Sequence, residues 1–173
     1  ILLVARMGTG GLAGFDVPTG TYLGTVTGER PTPRHLVIDP TGEWLYFTSN
    51  RSGYVSRIGL ATVRQGLASA SGGEVQLQGY EEVKVGSGAR TLVLSPDGRH
   101  LFVAVNGRME IVVVDAASLQ IVSRVRTDAY PVGLAVAPDG GQVWVTAQGR
   151  SGRGGNSVSV YRVIVGATPT SSG

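Results

Sequence analysis

A chain of 173 residues, 42% hydrophobic and 16% charged, is long enough for one domain with a real core and too apolar to be disordered. The absence of cysteine excludes a disulfide framework, thiolate metal sites and a cysteine nucleophile, and no apolar run approaches membrane-spanning length. Net charge is only +3, although 14 of the 15 basic residues are arginine, and the 27 glycines and 8 prolines mark a chain with many turns.

The chain opens on Ile1-Leu2-Leu3-Val4-Ala5, already a strand, with neither a charged leader nor a small-residue cleavage site before it. It therefore reads as a mature product or a fragment. The strand LAGFDV, the turn Pro18-Thr19-Gly20 and the strand TYLGTV follow. Next come three segments that align without gaps: PRHLVIDPTGEWLYF around Pro40, ARTLVLSPDGRHLFV around Pro96 and PVGLAVAPDGGQVWV around Pro138. In each, an apolar stretch meets Pro-(Thr/Asp)-Gly, where glycine supplies the positive φ of a tight turn, and an alternating apolar run follows. Each is thus a hairpin. The prolines lie 56 and 42 residues apart, and the shorter interval matches a four-stranded β-propeller blade. The middle repeat shows its third and fourth strands as MEIVVVD and LQIVSRV, and the last ends after SVSVYRV.

This reading gives blades at about 1–30, 31–88, 89–128 and 129–165, fourteen strands in all, with the first blade lacking its inner strand and the last its outer one. The longer interval holds an insertion at 61–79. Leu60, Val63 and Leu67 sit there at helical spacing, before the breaker Ser69–Gly73, so a short helix is expected in a surface insertion or a partner-binding excursion. Residues 166–173 (GATPTSSG) read as a flexible tail.

These repeats resemble the YVTN, or lactonase-like (surface-layer-type), β-propellers, whose signature P-x-x-L-x-x-(S/D)-P-D-G-(R/K)-x-(L/V)-(Y/F/W)-V is followed by a (S/N)-x-V-(S/V)-V third strand. The likeness covers three repeats and, more weakly, the first. It implies an all-β propeller of about seven blades, of which roughly half is present, located in the periplasm, secreted or at the cell surface. An open stack leaves edges that need cover, so the strands at Ile1–Arg6 and Ser157–Val163 are expected to meet other protein or the remainder of the same propeller.

Antiparallel alternation places the loops before strand one and between strands two and three at one end of the blades. Arg34, His35, Arg51, Arg90, Arg108, Arg150 and Arg153 collect there, with Tyr130 near the ring axis; Glu29, Glu110 and Asp128 lie at the edges. The opposite end receives Asp39, Glu43, Asp97, Asp115 and Asp139. A basic mouth attracts phosphates, carboxylates or nucleic acid. Against that stand two plainer sources of the pattern: turn chemistry favours aspartate, and arginine-rich genomes scatter arginine. The loop Gln148–Asn156 (QGRSGRGGN) joins two arginines to four glycines, either as a ligand grip or as a mobile surface loop; it is no Walker motif.

Arg34-His35 is the strongest enzymatic hint, because lactonase-type propellers of the 6-phosphogluconolactonase kind place Arg and His at the mouth. Where those carry Asn-Glu, this chain has Ser49-Asn50-Arg51, so the activating carboxylate is missing. Two histidines on opposite faces make no chelate, no Asp-x-Asp-x-Asp loop is present, and no metal or other cofactor is expected. Stacking aromatics at the mouth reduce to Tyr130, which weighs against nucleic acid; Trp44, Tyr46, Phe102 and Trp144 fall on second strands and are assigned to packing between blades. The expected function is a non-enzymatic scaffold or recognition module binding a macromolecular or anionic partner through the basic face. The alternatives are a lactonase-like hydrolase and an accessory subunit of a larger complex.

Overall fold

The second strand of each repeat is apolar at successive positions rather than on one side only, which requires a sheet covered on both faces. The computed structural model, which describes residues 1–164, has that form. Its elements are β1 (Leu2–Ala5), β2 (Leu12–Phe15), β3 (Tyr22–Thr27), β4 (Pro33–Ile38), β5 (Trp44–Ser49), β6 (Tyr54–Gly59), α1 (Leu60–Ala70), β7 (Glu74–Gln76), β8 (Glu81–Lys84), β9 (Ala89–Leu94), β10 (His100–Val105), β11 (Glu110–Asp115), β12 (Ile121–Arg126), β13 (Pro131–Val136), β14 (Gln142–Ala147) and β15 (Ser157–Arg162). They form four sheets, ordered β1-β2-β3-β7, β4-β5-β6-β8, β9-β10-β11-β12 and β13-β14-β15, here sheets I to IV. All pairings are antiparallel except β3 with β7. The fold is all-β and propeller-like, with no closed ring among the described residues.

Three apolar layers hold the sheets together. Leu12, Val26, Leu45 and Phe47 fill the space between sheets I and II. Tyr46, Val55, Leu92, Leu101 and Val103 fill that between II and III, and Phe102, Ala104, Ile111, Val143 and Val145 that between III and IV. Alternate residues of β5 and β10 therefore serve opposite junctions, as the pleat dictates. Each fully buried Phe, Leu or Val contributes about 1.5–3 kcal/mol over its exposed state. The Pro-X-Gly turns stack side by side: a Cβ at Gly98 would touch Pro40, and one at Gly140 would touch Pro96.

The insertion departs from expectation. Its helix forms at Leu60–Ala70, with one face exposed and the other built into the core. Leu60, Val63, Leu67 and Leu77 are buried against Leu12, Val26 and Phe47. Past the helix, β7 pairs with β3 at Thr25↔Glu74, Val26↔Val75 and Thr27↔Gln76. Gly14 lacks the Cβ that would strike Leu67, so the helix lies directly on sheet I. The segment straps sheet II to sheet I, adds a fifteenth strand and covers the outer edge of β3. The tail at 166–173 lies outside the described residues.

Among the described residues sheet IV has three strands, with β15 bonded on one side only, by β14. On its far face Trp144, Val158 and Val160 are 46%, 59% and 47% exposed. Trp144 thus has no neighbouring sheet to pack against among the described residues. Sheet I is open in the same way, with Leu2, Val4 and Tyr22 exposed on the face turned from sheet II. Beside β15 a groove of about 500 Å³ runs between sheets III and IV, lined by Phe102, Val122, Val125, Tyr161 and Val163. His100 is half-buried at this groove.

Candidate anion site at the basic end

The inner strands begin with an unusual backbone. Eight residues before each repeat proline stand Thr32, Gly88 and Tyr130, with φ of 64°, 87° and 63°. Each carbonyl accepts the amide of the residue just past its second strand: Asn50 to Thr32 (3.0 Å), Asn106 to Gly88 (3.1 Å) and Gln148 to Tyr130 (3.1 Å). The left-handed conformation is therefore built into the repeat. Glycine accepts it freely, whereas a residue with a side chain loses about 1–2 kcal/mol there. Sheet IV places a tyrosine at this position.

Two arginines, Arg34 and Arg150, approach that tyrosine. Arg34 on β4 and Arg90 on β9 occupy the same offset from their repeat prolines, on inner strands packed against each other. The Thr48 hydroxyl on β5 donates to the Arg90 carbonyl on β9 at 2.7 Å, and the Thr91 hydroxyl on β9 to the Val132 carbonyl on β13 at 2.6 Å, tying neighbouring sheets together near their inner strands. Arg34 is half-buried, and burial lowers its pKa, the nearby Arg90 charge adding to the effect and Tyr130 opposing it. The Arg150 guanidinium carbon lies 5.9 Å from the centroid of the Tyr130 ring, within cation–π range. Arg51 and Arg108 stand exposed on the β5–β6 and β10–β11 turns, and the side chain of neither hydrogen-bonds to this group.

The loop Gln148–Asn156 folds into a short hairpin finger. Arg150 and Arg153 exchange both backbone hydrogen bonds, at 3.0 and 3.1 Å, across a two-residue turn. Ser151 (φ 52°) and Gly152 (φ 73°) give it the doubly left-handed form that suits a hairpin. Directly paired residues send their side chains to the same side, so two guanidinium groups leave one face of this finger together. Its base is fixed by Asp128, whose carboxylate accepts from the amides of Ala129 (2.6 Å) and Gly155 (3.0 Å) and from the Ser157 hydroxyl (2.6 Å). The hydroxyl and amide bonds hold the Asp128 pKa below the ordinary carboxylate range.

Charge pairing separates this end from the rest. Arg6, Arg30, Arg57 and Arg124 bind Glu74, Glu82, Glu81 and Glu110 at 2.9, 2.8, 2.8 and 2.5 Å. Arg57 also donates to the carbonyls of Ala116 and Ala117, tying sheet II to sheet III. None of Arg34, Arg51, Arg90, Arg108, Arg150 and Arg153 has a carboxylate partner among the described residues. Nor are the acids of that end available. Glu29 accepts the Gly11 amide at 2.6 Å, Glu110 holds Arg124, and Asp128 anchors the finger. At the opposite end Asp39, Asp97 and Asp115 accept amides and hydroxyls of their own turns. Turn chemistry accounts for that acidic end.

The Arg34-His35 pair is split. Arg34 approaches Arg90 and Tyr130, while the His35 imidazole turns toward the backbone of Leu92 on β9 and leaves Nδ1 buried without a partner. Burial lowers its pKa, the Leu92 carbonyl works against this and Arg34 adds to it. Every group acting on it is a backbone or a cation; no carboxylate is among them. Among the described residues no three His, Asp or Glu side chains gather as metal ligands. Sequence reading missed the left-handed position and the opposed arginines. The first was detectable from the shared offset of Thr32, Gly88 and Tyr130, the second from Ser-Gly flanked by arginines.

No family model and no curated protein matches this chain. Among solved structures it is similar to a chain of hydrazine synthase from Kuenenia stuttgartiensis, with a TM-score of 0.75 and 24% identity. The match covers 92% of this chain and 42% of that one, so the chain spans less than half the length of its structural neighbour, and the likeness is one of fold.

Proposed function

We propose that this chain is part of a β-propeller of about seven blades, of the YVTN type, acting outside the cytoplasm as a recognition or scaffold module that binds an anionic partner through its basic end. One observation carries this reading: six arginines of one end lack acid partners, while the three acids of that end are engaged with other groups. Such an end holds a positive potential that an anionic partner neutralises. The surroundings of His35 favour binding over lactone hydrolysis, since an imidazole with no carboxylate acting on it lacks the pairing that orients a general base. The test is retention on a sulfated polysaccharide matrix. Arg34→Gln with Arg90→Gln should elute at markedly lower salt than the parent chain, and Arg99→Gln, at the opposite end, should not. Equal elution of all three would overturn the reading. A robust lactone turnover that disappears in His35→Ala would replace it with the hydrolase.

A second reading, contact with further protein, is favoured by the open faces of sheets I and IV. Trp144, Val158 and Val160 present an apolar surface that a further blade or another subunit would cover. A stable, soluble monomer of this span on size-exclusion chromatography would contradict that reading.

A further inference from the structure

Three unfavourable features meet within one small region of the basic end. Tyr130 holds a left-handed backbone that the equivalent position of sheet III gives to glycine. Arg150 and Arg153 face each other directly across a hairpin, where like charges destabilise. Arg34 and Arg90 sit side by side on packed inner strands with no acid between them. A fold that leaves like charges facing each other in one place, while pairing arginines with glutamates elsewhere, marks that place as a binding site.

We infer that Arg34, Arg90, Arg150 and Arg153, gathered around Tyr130, form a site for a phosphate dianion. The inference rests on the recognition reading above and narrows its ligand. A carboxylate carries one charge on two oxygens, and one guanidinium fork satisfies both. Two pairs of guanidinium groups, one on the inner strands and one on the finger, need an anion with more oxygens and more charge. A phosphate group, with about two negative charges near neutral pH and three or more acceptor oxygens, meets both needs. Tyr130 borders both pairs through one member of each, its ring 5.9 Å from the Arg150 guanidinium carbon and its hydroxyl acting on the Arg34 charge. The finger is rigid where it must be: Asp128 fixes its base, and the turn glycine fixes its tip.

The experiment is calorimetric titration of the chain with inorganic phosphate, phenyl phosphate and acetate, on samples whose β-sheet circular dichroism matches the parent. Phosphate is expected to bind at least about tenfold more tightly than acetate, a difference of about 1.4 kcal/mol. Both double variants, Arg34→Gln/Arg90→Gln and Arg150→Gln/Arg153→Gln, should lose that preference, and Arg99→Gln should keep it. A tighter phenyl phosphate, dependent on Tyr130, assigns the site to a phosphate ester; equal affinities assign it to free phosphate. Phosphate binding no better than acetate, or unchanged in both double variants, overturns the site. If phosphate fails while retention on the sulfated matrix still depends on Arg34 and Arg90, only this inference falls; if retention is also independent of them, the recognition reading falls too.

Discussion

Tyr46, Phe102 and Trp144 stand six residues after the proline of three successive repeats, yet they are 3%, 5% and 46% exposed. The first two sit in closed junctions between sheets and the third on the bare face of sheet IV. The same sequence position is core in one sheet and surface in the next, because a propeller blade has no core of its own and borrows one from its neighbour. Covering Trp144 to the level of Phe102 would contribute about 2–3 kcal/mol by area.

That comparison is broken most easily by truncation. Phe102→Ala should destabilise the chain by about 3–5 kcal/mol in urea denaturation, and Trp144→Ala by less than about 1 kcal/mol. Comparable losses would mean that the face of sheet IV is covered in solution. At the strand starts the contrast reverses sign. Gly88→Ala should cost about 1–3 kcal/mol, since φ of 87° strains an L-residue and the added Cβ would strike Asn106. At the equivalent place Tyr130→Gly should stabilise by up to about 1 kcal/mol while weakening phosphate binding, because it removes strain and ligand contact together. A Tyr130→Gly variant that binds phosphate as the parent does would separate the strain from the site.

Carboxylates at both ends make the fold sensitive to acid. Asp39, Asp97, Asp115 and Asp128 all have folded pKa values lowered from 3.8. A carboxylate depressed in the folded state stabilises above its unfolded pKa and loses that contribution as pH falls through the folded value. The urea midpoint should therefore hold steady on these groups' account down to pH near 4 and drop below it. Asp97→Asn and Asp128→Asn should each flatten that fall, whereas Arg51→Gln should leave it unchanged. A midpoint insensitive to acid would contradict the hydrogen-bonded turns.

Much of this architecture was legible in the sequence because a repeat states its own register. Three ungapped Pro-X-Gly hairpins locate the second strands, the alternation along them, and the end at which Arg34, Arg90 and Tyr130 meet. The strap was not legible as core, since Leu60, Val63 and Leu67 announce a helix but not the surface that buries it; that surface is Leu12 and Val26 in a different sheet. Parallel pairing of β7 with β3 is likewise a contact between distant segments, with no local signature in three residues. Arg34-His35 read as a pair because adjacent residues look adjacent, yet one reaches the Arg90–Tyr130 group and the other the seam beside Leu92. Trp144 read as core because its equivalents are core.

The central claim, that the unpaired arginines of one end form a recognition site around Tyr130, is tested most directly by following backbone and arginine side-chain NMR signals during titration with inorganic phosphate. The account predicts saturable shifts confined to Arg34, Arg90, Tyr130 and the Gln148–Asn156 finger, with the Pro40, Pro96 and Pro138 turns unmoved. Shifts spread evenly over all exposed arginines, Arg64, Arg99 and Arg162 included, would contradict it.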